Sequence, residues 1–396
     1  MFFRPKESPI VPPNRPIRVA LFLPNLAGGG AERAALNLAR GLLANSLVVD
    51  IVLGNCSGPL AKELPCDARI VDLKQNRIRF AILPLRGYLK NERPDVLISF
   101  LDHANLAALL AGLTTTGKTK IAVTSHIYLS VALKRLGVFK HLGLSLLLRL
   151  LYRQADVIVA VSRSAALDLA KVTGLPAERI KVIFNPVIAL HAPDEAQKPV
   201  THPWLQNRDV PVILAVGRLT EQKNHEHLIR AFALVRKQFV ARLVILGEGE
   251  LRSQLQFLIH ELKLEDTVDM PGYVADPLSY MSRVAVVALS SKWEALPTVL
   301  IEALSMGVPV VSTDCPSGPR EILNNGQWGR LVPVGNVETL AQALLEVLSS
   351  VAPVLPSECW YPYRIDVATC KYLDALGIVP TQTGCKIRAA ISESSV

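Results

Sequence analysis

The chain has 396 residues and no Cys-x-x-Cys pair; its six cysteines, Cys56, Cys66, Cys315, Cys359, Cys370 and Cys385, are scattered. That spacing argues against a zinc site or a disulfide frame and for reduced thiols. Aromatic residues make up only 6% of the chain, and none interleave with cations on a strand-like run. No nucleic-acid partner is therefore expected. No run is long and apolar enough to span a bilayer. The opening MFFRPKESPIVPPNRP is proline-rich and lacks the apolar stretch of a signal peptide. There is no G-x-G-x-x-G, and no acidic residue ends a strand about 20 positions after a glycine turn, which disfavours a dinucleotide fold. The expectation is a cytoplasmic protein, soluble or peripherally bound at the inner face of the membrane.

What is present is apolar and basic. Half the residues are hydrophobic and the formal net charge is +9, which favours anionic partners such as nucleotides, phosphates or an anionic lipid surface. The length suggests two domains. Residues 1–16 read as a flexible arm, 17–190 as one domain, and 191–210, polar and proline-containing, as a linker. Residues 211–355 read as a second domain and 356–396 as a final helix with a loose tail.

In the first domain, strand-like runs recur at 17–23, 48–53, 69–71, 96–100, 120–124 and 156–161, separated by helical patterns. Such alternation predicts a parallel α/β sheet covered on both faces, with ligands beyond the carboxyl ends of the strands. At such ends stand Gly29 and Gly30 ahead of a helix, Asp102-His103, and Ser125-His126. Residues 129–141 mix leucines with cations and are expected either to touch a membrane or lipid-linked acceptor or to pack in the core; 144–153 are expected to be core.

The second domain carries the denser signal. A buried strand ends at Gly217 and presents Arg218 and Lys223 before a helix from His225. Arginine offers a bidentate clamp and lysine a point charge, a pair suited to a diphosphate. Gly247 and Gly249 follow the next apolar run, and Tyr273 the one after. The run 284–289 then leads into Ser-Ser-Lys-Trp-Glu294-Ala295-Leu296-Pro297-Thr298, with Pro297 opening a helix that contains Glu302 and closes at Gly307. Free amides and a helix dipole suit a phosphate, and two carboxylates suit the hydroxyls of a ribose or sugar. A nucleotide sugar carries both.

Glu294-x7-Glu302 with Leu-Pro-Thr between, together with the Gly217-Arg218-Leu-x-x-x-Lys223 run and the Gly247-x-Gly249 turn, resembles the retaining glycosyltransferases of family 4, which have the GT-B fold. The resemblance implies two Rossmann-like domains facing a cleft. It implies that Glu302 holds the ribose, that Glu294 and His126 lie near the transferred sugar, and that Arg218 and Lys223 neutralise the leaving diphosphate. Amides of Ala295 to Thr298 would meet the diphosphate, Gly29 and Gly30 would lie near it, His103 near sugar or acceptor, and Tyr273 near the base. The family usually has glycine where this chain has Ala295. No Asp-x-Asp occurs, so no metal and no cofactor are expected. The implied reaction moves a hexosyl or N-acetylhexosaminyl group from a nucleotide sugar, most simply UDP-linked, to a glycan or polyprenyl-diphosphate-linked acceptor. A UDP-sugar epimerase of the same fold and a silent scaffold in polysaccharide assembly are the alternatives.

Overall fold

The computed structural model describes residues 15–115, 118–134, 138–189, 199–207, 209–351 and 354–379. It divides into two compact units, residues 1–187 with 363–396, and residues 188–362.

The first unit contains strands β1 (Arg18–Leu23), β2 (Val48–Leu53), β3 (Arg69–Asp72), β4 (Val96–Phe100), β5 (Lys120–Ser125), β6 (Val157–Ala160) and β7 (Ile180–Val182). Their order is β3-β2-β1-β4-β5-β6-β7, and each neighbouring pair is parallel. Helices α1 (Gly30–Ala44), α2 (Ile82–Glu92), α3 (Asp102–Leu113), α4 (Leu129–Lys134), α5 (Val138–Tyr152) and α6 (Arg163–Thr173) connect them. The strands read as unbroken apolar runs because helices cover both faces. One core packs α2, α3, α5 and α6 against the sheet. The other includes Leu38 and Leu42 of α1 with Tyr372, Leu373 and Leu376.

The second unit runs β8 (Val212–Val216), β9 (Arg242–Leu246), β10 (Val268–Gly272), β11 (Val286–Leu289), β12 (Val310–Thr313) and β13 (Arg330–Val332), ordered β10-β9-β8-β11-β12-β13. Every neighbouring pair is again parallel. Its helices are α7 (Pro203–Gln206), α8 (His225–Arg236), α9 (Arg252–Glu261), α10 (Pro277–Met281), α11 (Thr298–Ser305), α12 (Pro319–Ile322) and α13 (Val337–Leu348). The last helix, α14 (Ile365–Leu376), belongs to the first unit.

Strand order reverses between β1 and β4 in one sheet and between β8 and β11 in the other. At such a reversal the flanking connections leave on opposite faces and open a crevice at the carboxyl edge. The loop after β1 brings Gly29 and Gly30 to the head of α1, and β4 leads into Asp102 and His103 at the head of α3. The loops after β8 and β11 carry Gly217, Arg218, Lys223 and Glu294.

One expectation changes. Residues 144–153 are only half core: Leu148, Leu151 and Tyr152 are buried, but Leu146, Leu147 and Leu150 are 60%, 39% and 54% exposed. The helix has leucine on more of its circumference than one sheet face can cover. In 129–141, Leu129 and Leu133 are core; residues 135–137 lie outside the described residues. Among the described residues, no helix is long and apolar enough to cross a membrane.

Helices α1 and α14 touch where Gly41 meets Thr369. A Cβ on Gly41 would lie 2.0 Å from Thr369 Oγ1, whose hydroxyl donates to Ile365 O at 2.6 Å. Gly41→Ala should therefore lower stability by about 1–3 kcal/mol in denaturant unfolding, and Thr369→Ala in the same chain should recover part of that loss.

Candidate active site

The second unit gathers its site at the β8/β11 reversal. Lys223 Nζ lies 2.5 Å from Glu294 Oε1, with side chains 18% and 7% exposed. Ser291 Oγ donates to the same oxygen at 2.6 Å. Gln222 Nε2 donates to Trp293 O at 3.0 Å and weakly to Glu294 Oε2 at 3.4 Å, so Oε2 is the less engaged carboxylate oxygen. The Lys292 amide donates to Gln222 O, and Ser290 Oγ to Lys223 O, both tying one loop to the other.

Small residues let these loops approach. A Cβ on Gly217 would lie 3.1 Å from Lys223 Cε, so the lysine stem runs over that glycine. Gly247 has φ +141, and a Cβ there would fall 2.0 Å from Gly217 O; one on Gly249 would fall 2.4 Å from Leu219 O. The Gly-x-Gly turn is thus filled by the chain's own backbone, which it holds under the β8 loop. Arg218 is exposed, and no salt bridge to it is found among the described residues. Tyr273 is 49% exposed just past β10.

Helix α11 begins at Thr298, with Pro297 as a cap that supplies no side-chain hydrogen bond. The first amides of a helix lack intrahelical acceptors and carry partial positive charge. Glu302 stands on the second turn and is half-buried. Ala295 and Leu296 are buried, and Ala295 is not among the residues with positive φ. The loop therefore does not use the left-handed backbone that would demand glycine, and alanine is accommodated. Gly318, at φ +71, closes behind it: a Cβ there would meet Pro297 Cδ at 2.5 Å. Ser317 Oγ donates to Ala295 O at 2.9 Å. Burial, assisted by the Glu294 charge and opposed by Lys223, pushes the Cys315 thiol up to about 12. It is a packing residue behind the carboxylate.

In the first unit, Gly30 opens α1 and Gly29 caps it. A Cβ on Gly29 would lie 2.5 Å from Glu32 Oε2, so the buried Glu32 carboxylate folds back over the helix start. His103 is exposed on the first turn of α3. Its neighbour Asp102 is the buried group. Asp102 Oδ1 accepts from Ser125 Oγ at 3.0 Å and from Tyr152 OH at 2.9 Å. Asn105 Nδ2 donates to Tyr152 OH at 3.0 Å and to Thr124 O at 2.9 Å. Burial raises the Asp102 carboxyl to about 6. His126 Nε2 meets Thr124 Oγ1 at 2.9 Å, and burial pushes its imidazole down to about 3.

Gln222, Ser291, Asn105 and Tyr152 were not found from sequence. Asn105 alone gave a signal, as a polar residue inside an apolar helical run; the others carry no periodicity or motif.

This is a doubly wound α/β protein whose second sheet carries, in the loops at its switch point, two cations, a held carboxylate and a helix start without a side-chain cap. The description "Glycosyltransferase Family 4" matches residues 28–189, and "Glycosyl transferases group 1" matches residues 201–353. The chain is 31% identical over 341 residues, 84% of its length and 90% of the relative's, to the N-acetylgalactosamine-N,N'-diacetylbacillosaminyl-diphospho-undecaprenol 4-alpha-N-acetylgalactosaminyltransferase of Campylobacter jejuni. It is 27% identical, over 81% of its length and 87% of the relative's, to the amylovoran biosynthesis glycosyltransferase AmsD of Erwinia amylovora. The crystal structure of Anabaena Alr3699/HepE in complex with UDP-glucose superposes with a TM-score of 0.74 at 18% identity, covering 91% of this chain and 99% of that one. The chain belongs to glycosyltransferase family 4: it is a glycosyltransferase with the GT-B fold.

His225 opens α8 beside Lys223 and is only 4% exposed; neither ring nitrogen has a well-formed hydrogen bond. Burial first, then the Lys223 charge, pushes it down to about 4, against the opposing backbone of Gly217 and Arg218. A depressed histidine stays neutral in the folded chain while the unfolded chain takes up a proton, so stability is lost as pH falls from about 6.5 to 4. His225→Leu should remove on the order of 3 kcal/mol of that acid-induced loss, measured as the pH slope of unfolding free energy. An unchanged slope would contradict the burial argument.

Proposed function

We propose that the protein is a retaining, metal-independent transferase. It moves a hexosyl or N-acetylhexosaminyl group from a UDP-linked donor to a polyprenyl-diphosphate-linked glycan and forms an α-linkage. The observation that carries this reading is the buried Lys223–Glu294 pair, whose Oε2 is nearly free, in the β8 and β11 loops that also carry exposed Arg218 and lead into α11. A diphosphate leaving group develops charge as the glycosidic bond breaks, and fixed cations and amides stabilise that charge without reorganising. Arg218 is the clamp, Lys223 the point charge, and Glu302 the ribose acceptor. Glu294, immobilised by Lys223 and Ser291, offers Oε2 to a sugar hydroxyl. The acceptor oxygen attacks from the face the diphosphate leaves, so no protein nucleophile is required. The printed names of the relatives support a lipid-linked glycan acceptor, and the UDP-glucose held by the structural neighbour supports the donor class.

Donor analysis by thermal shift with UDP- and GDP-sugars, followed by the anomeric configuration of the product, tests the reading. Product formed from a UDP-sugar without any acceptor would favour the epimerase. Arg218→Ala should lower kcat by about 10²- to 10³-fold without changing thermal stability, because the side chain is exposed. Lys223→Ala should lower both, since it leaves Glu294 buried and unpaired.

The acceptor reading also implies a membrane-facing surface on the first unit. Residues 73–155 hold thirteen Lys or Arg against Glu92, Asp95 and Asp102. Leu146, Leu147 and Leu150 of α5 are exposed, as are Phe80, in the turn ahead of α2, and Leu83 in the first turn of α2, with Arg79 stacked on Phe80. Apolar side chains among cations suit an anionic bilayer surface at the inner face of the cell membrane. Leu146→Ser with Leu150→Ser should reduce co-sedimentation with vesicles containing phosphatidylglycerol, and should leave the negligible binding to pure phosphatidylcholine vesicles unchanged.

A further inference from the structure

The second unit holds an open cavity of about 600 Å³ at the carboxyl ends of β12 and β13. Asp314, Arg320 and Asn325 supply its polar lining, and Leu331, Pro333 and Val334 its apolar wall. None of the residues that carry the donor reading lines it. Arg320, on α12, clamps Asp314 with two nitrogens: Nε donates to Oδ1 at 3.1 Å, and Nη2 donates to Oδ2. Their side chains are still 60% and 24% exposed, so both are within a ligand's reach. Nη1 meets no acceptor among the described residues, and the clamped carboxylate keeps further lone pairs. Asn325 is exposed, and its amide has no partner among the described residues. Asn324, Asn325 and Gly326 all take left-handed backbone, at φ +45, +58 and +95, and turn the chain around this side of the cavity. Val334 is 39% exposed and Leu331 half-buried.

The lining selects the chemistry of a ligand. The charges of Arg320 and Asp314 cancel at short range, so neither a bare anion nor a bare cation is favoured. An ion pair this exposed contributes little to stability. A wholly apolar ligand would strip water from the guanidinium, the carboxylate and the amide without replacing its hydrogen bonds. A planar base binds best against an aromatic face, and no lining residue is aromatic. A neutral molecule with several hydrogen-bond donors and acceptors on an apolar frame meets every requirement, and a pyranose ring is such a molecule. Its hydroxyls serve Asp314, Asn325 and Arg320 Nη1, and its C–H face lies on Leu331 and Val334. The cavity is also close to the Lys223–Glu294 loops. From β11 to β13 is two strand spacings, roughly 10 Å. The segment between Asp314 and Arg320 joins the two places, since Ser317 holds Ala295 O and Gly318 closes on Pro297.

We propose that this cavity is a saccharide subsite, which holds a pyranose residue of the glycan substrate other than the one that reacts. The inference rests on the transferase reading and adds to it a glycan contact on the second unit, with Arg320, Asp314 and Asn325 as its polar residues.

The methyl groups of Leu331 and Val334 report on the cavity when ¹³C-labelled in the full chain. Saturating UDP keeps added sugars out of the donor site. Methyl β-glycosides of N-acetylglucosamine, N-acetylgalactosamine, glucose and galactose stand for residues inside a glycan, and the free sugars for monosaccharides. At least one methyl glycoside should shift both sets of resonances with a Kd on the order of 1–10 mM, as for a single weakly held ring. Arg320→Ala and Asn325→Ala should each raise that Kd about 5-fold or more with Tm unchanged. Both substitutions change exposed side chains, and either one decides the matter if the other fails to fold. No shift with any methyl glycoside at about 100 mM, ten times the weakest expected Kd, overturns the proposal. So does a shift that both variants leave intact, or binding of the free sugars alone. Failure of UDP to bind counts against the transferase reading, and the sugar titration still decides the subsite. UDP binding with unmoved Leu331 and Val334 resonances counts against the subsite alone.

Discussion

The ion pair between Lys223 and Glu294 is the constraint on which the second unit's site depends. It joins loops 71 residues apart in sequence, and they meet because β11 inserts beside β8 rather than beside β10. At the low exposure of both partners the attraction is screened little by solvent, and losing either leaves an uncompensated charge. Ser291, Gln222 and the stem of Lys223 over Gly217 all take their places from that pair. The entrance to α11 follows Glu294 in the same loop, which Ser317 ties down through Ala295 O.

Both units place a carboxylate of their own where an anion would be attracted. Glu294 answers Lys223, and Glu32 folds over Gly29 at the start of α1. A helix start or a buried cation left bare would be costly, so the ligand-free protein satisfies it internally. A nucleotide diphosphate would therefore share Lys223 with Glu294 rather than meet a naked charge. The exposed guanidinium of Arg218 needs no such exchange.

The first unit distributes its residues differently. Its helical layer of α2, α3, α5 and α6 buries leucine and alanine inward and still leaves leucine and phenylalanine outward, among cations. At the sheet's carboxyl edge it buries polar groups that are only partly satisfied. Neither feature stabilises an isolated soluble domain, and both agree with the nucleotide-sugar donor and lipid-linked acceptor proposed above.

The parallel sheets were legible in the sequence because continuous apolar runs of five or six residues, separated by helical periodicity, have few other ways to bury themselves. The glycine turns, Arg218, Lys223 and the Glu294–Glu302 spacing were legible for a similar reason: each depends on neighbours a few residues away. Strand order was not legible, since inserting β4 beside β1 or β11 beside β8 changes no local preference. Pairings between distant loops followed from that order, and so did Lys223 with Glu294, Asp102 with Tyr152, and the outward turn of Leu146 and Leu150. Local backbone and hydrophobic pattern decide which segments become strands and helices; only the packed tertiary structure decides which side chains share a low-dielectric space and which hydrogen-bond acceptors are left without a donor.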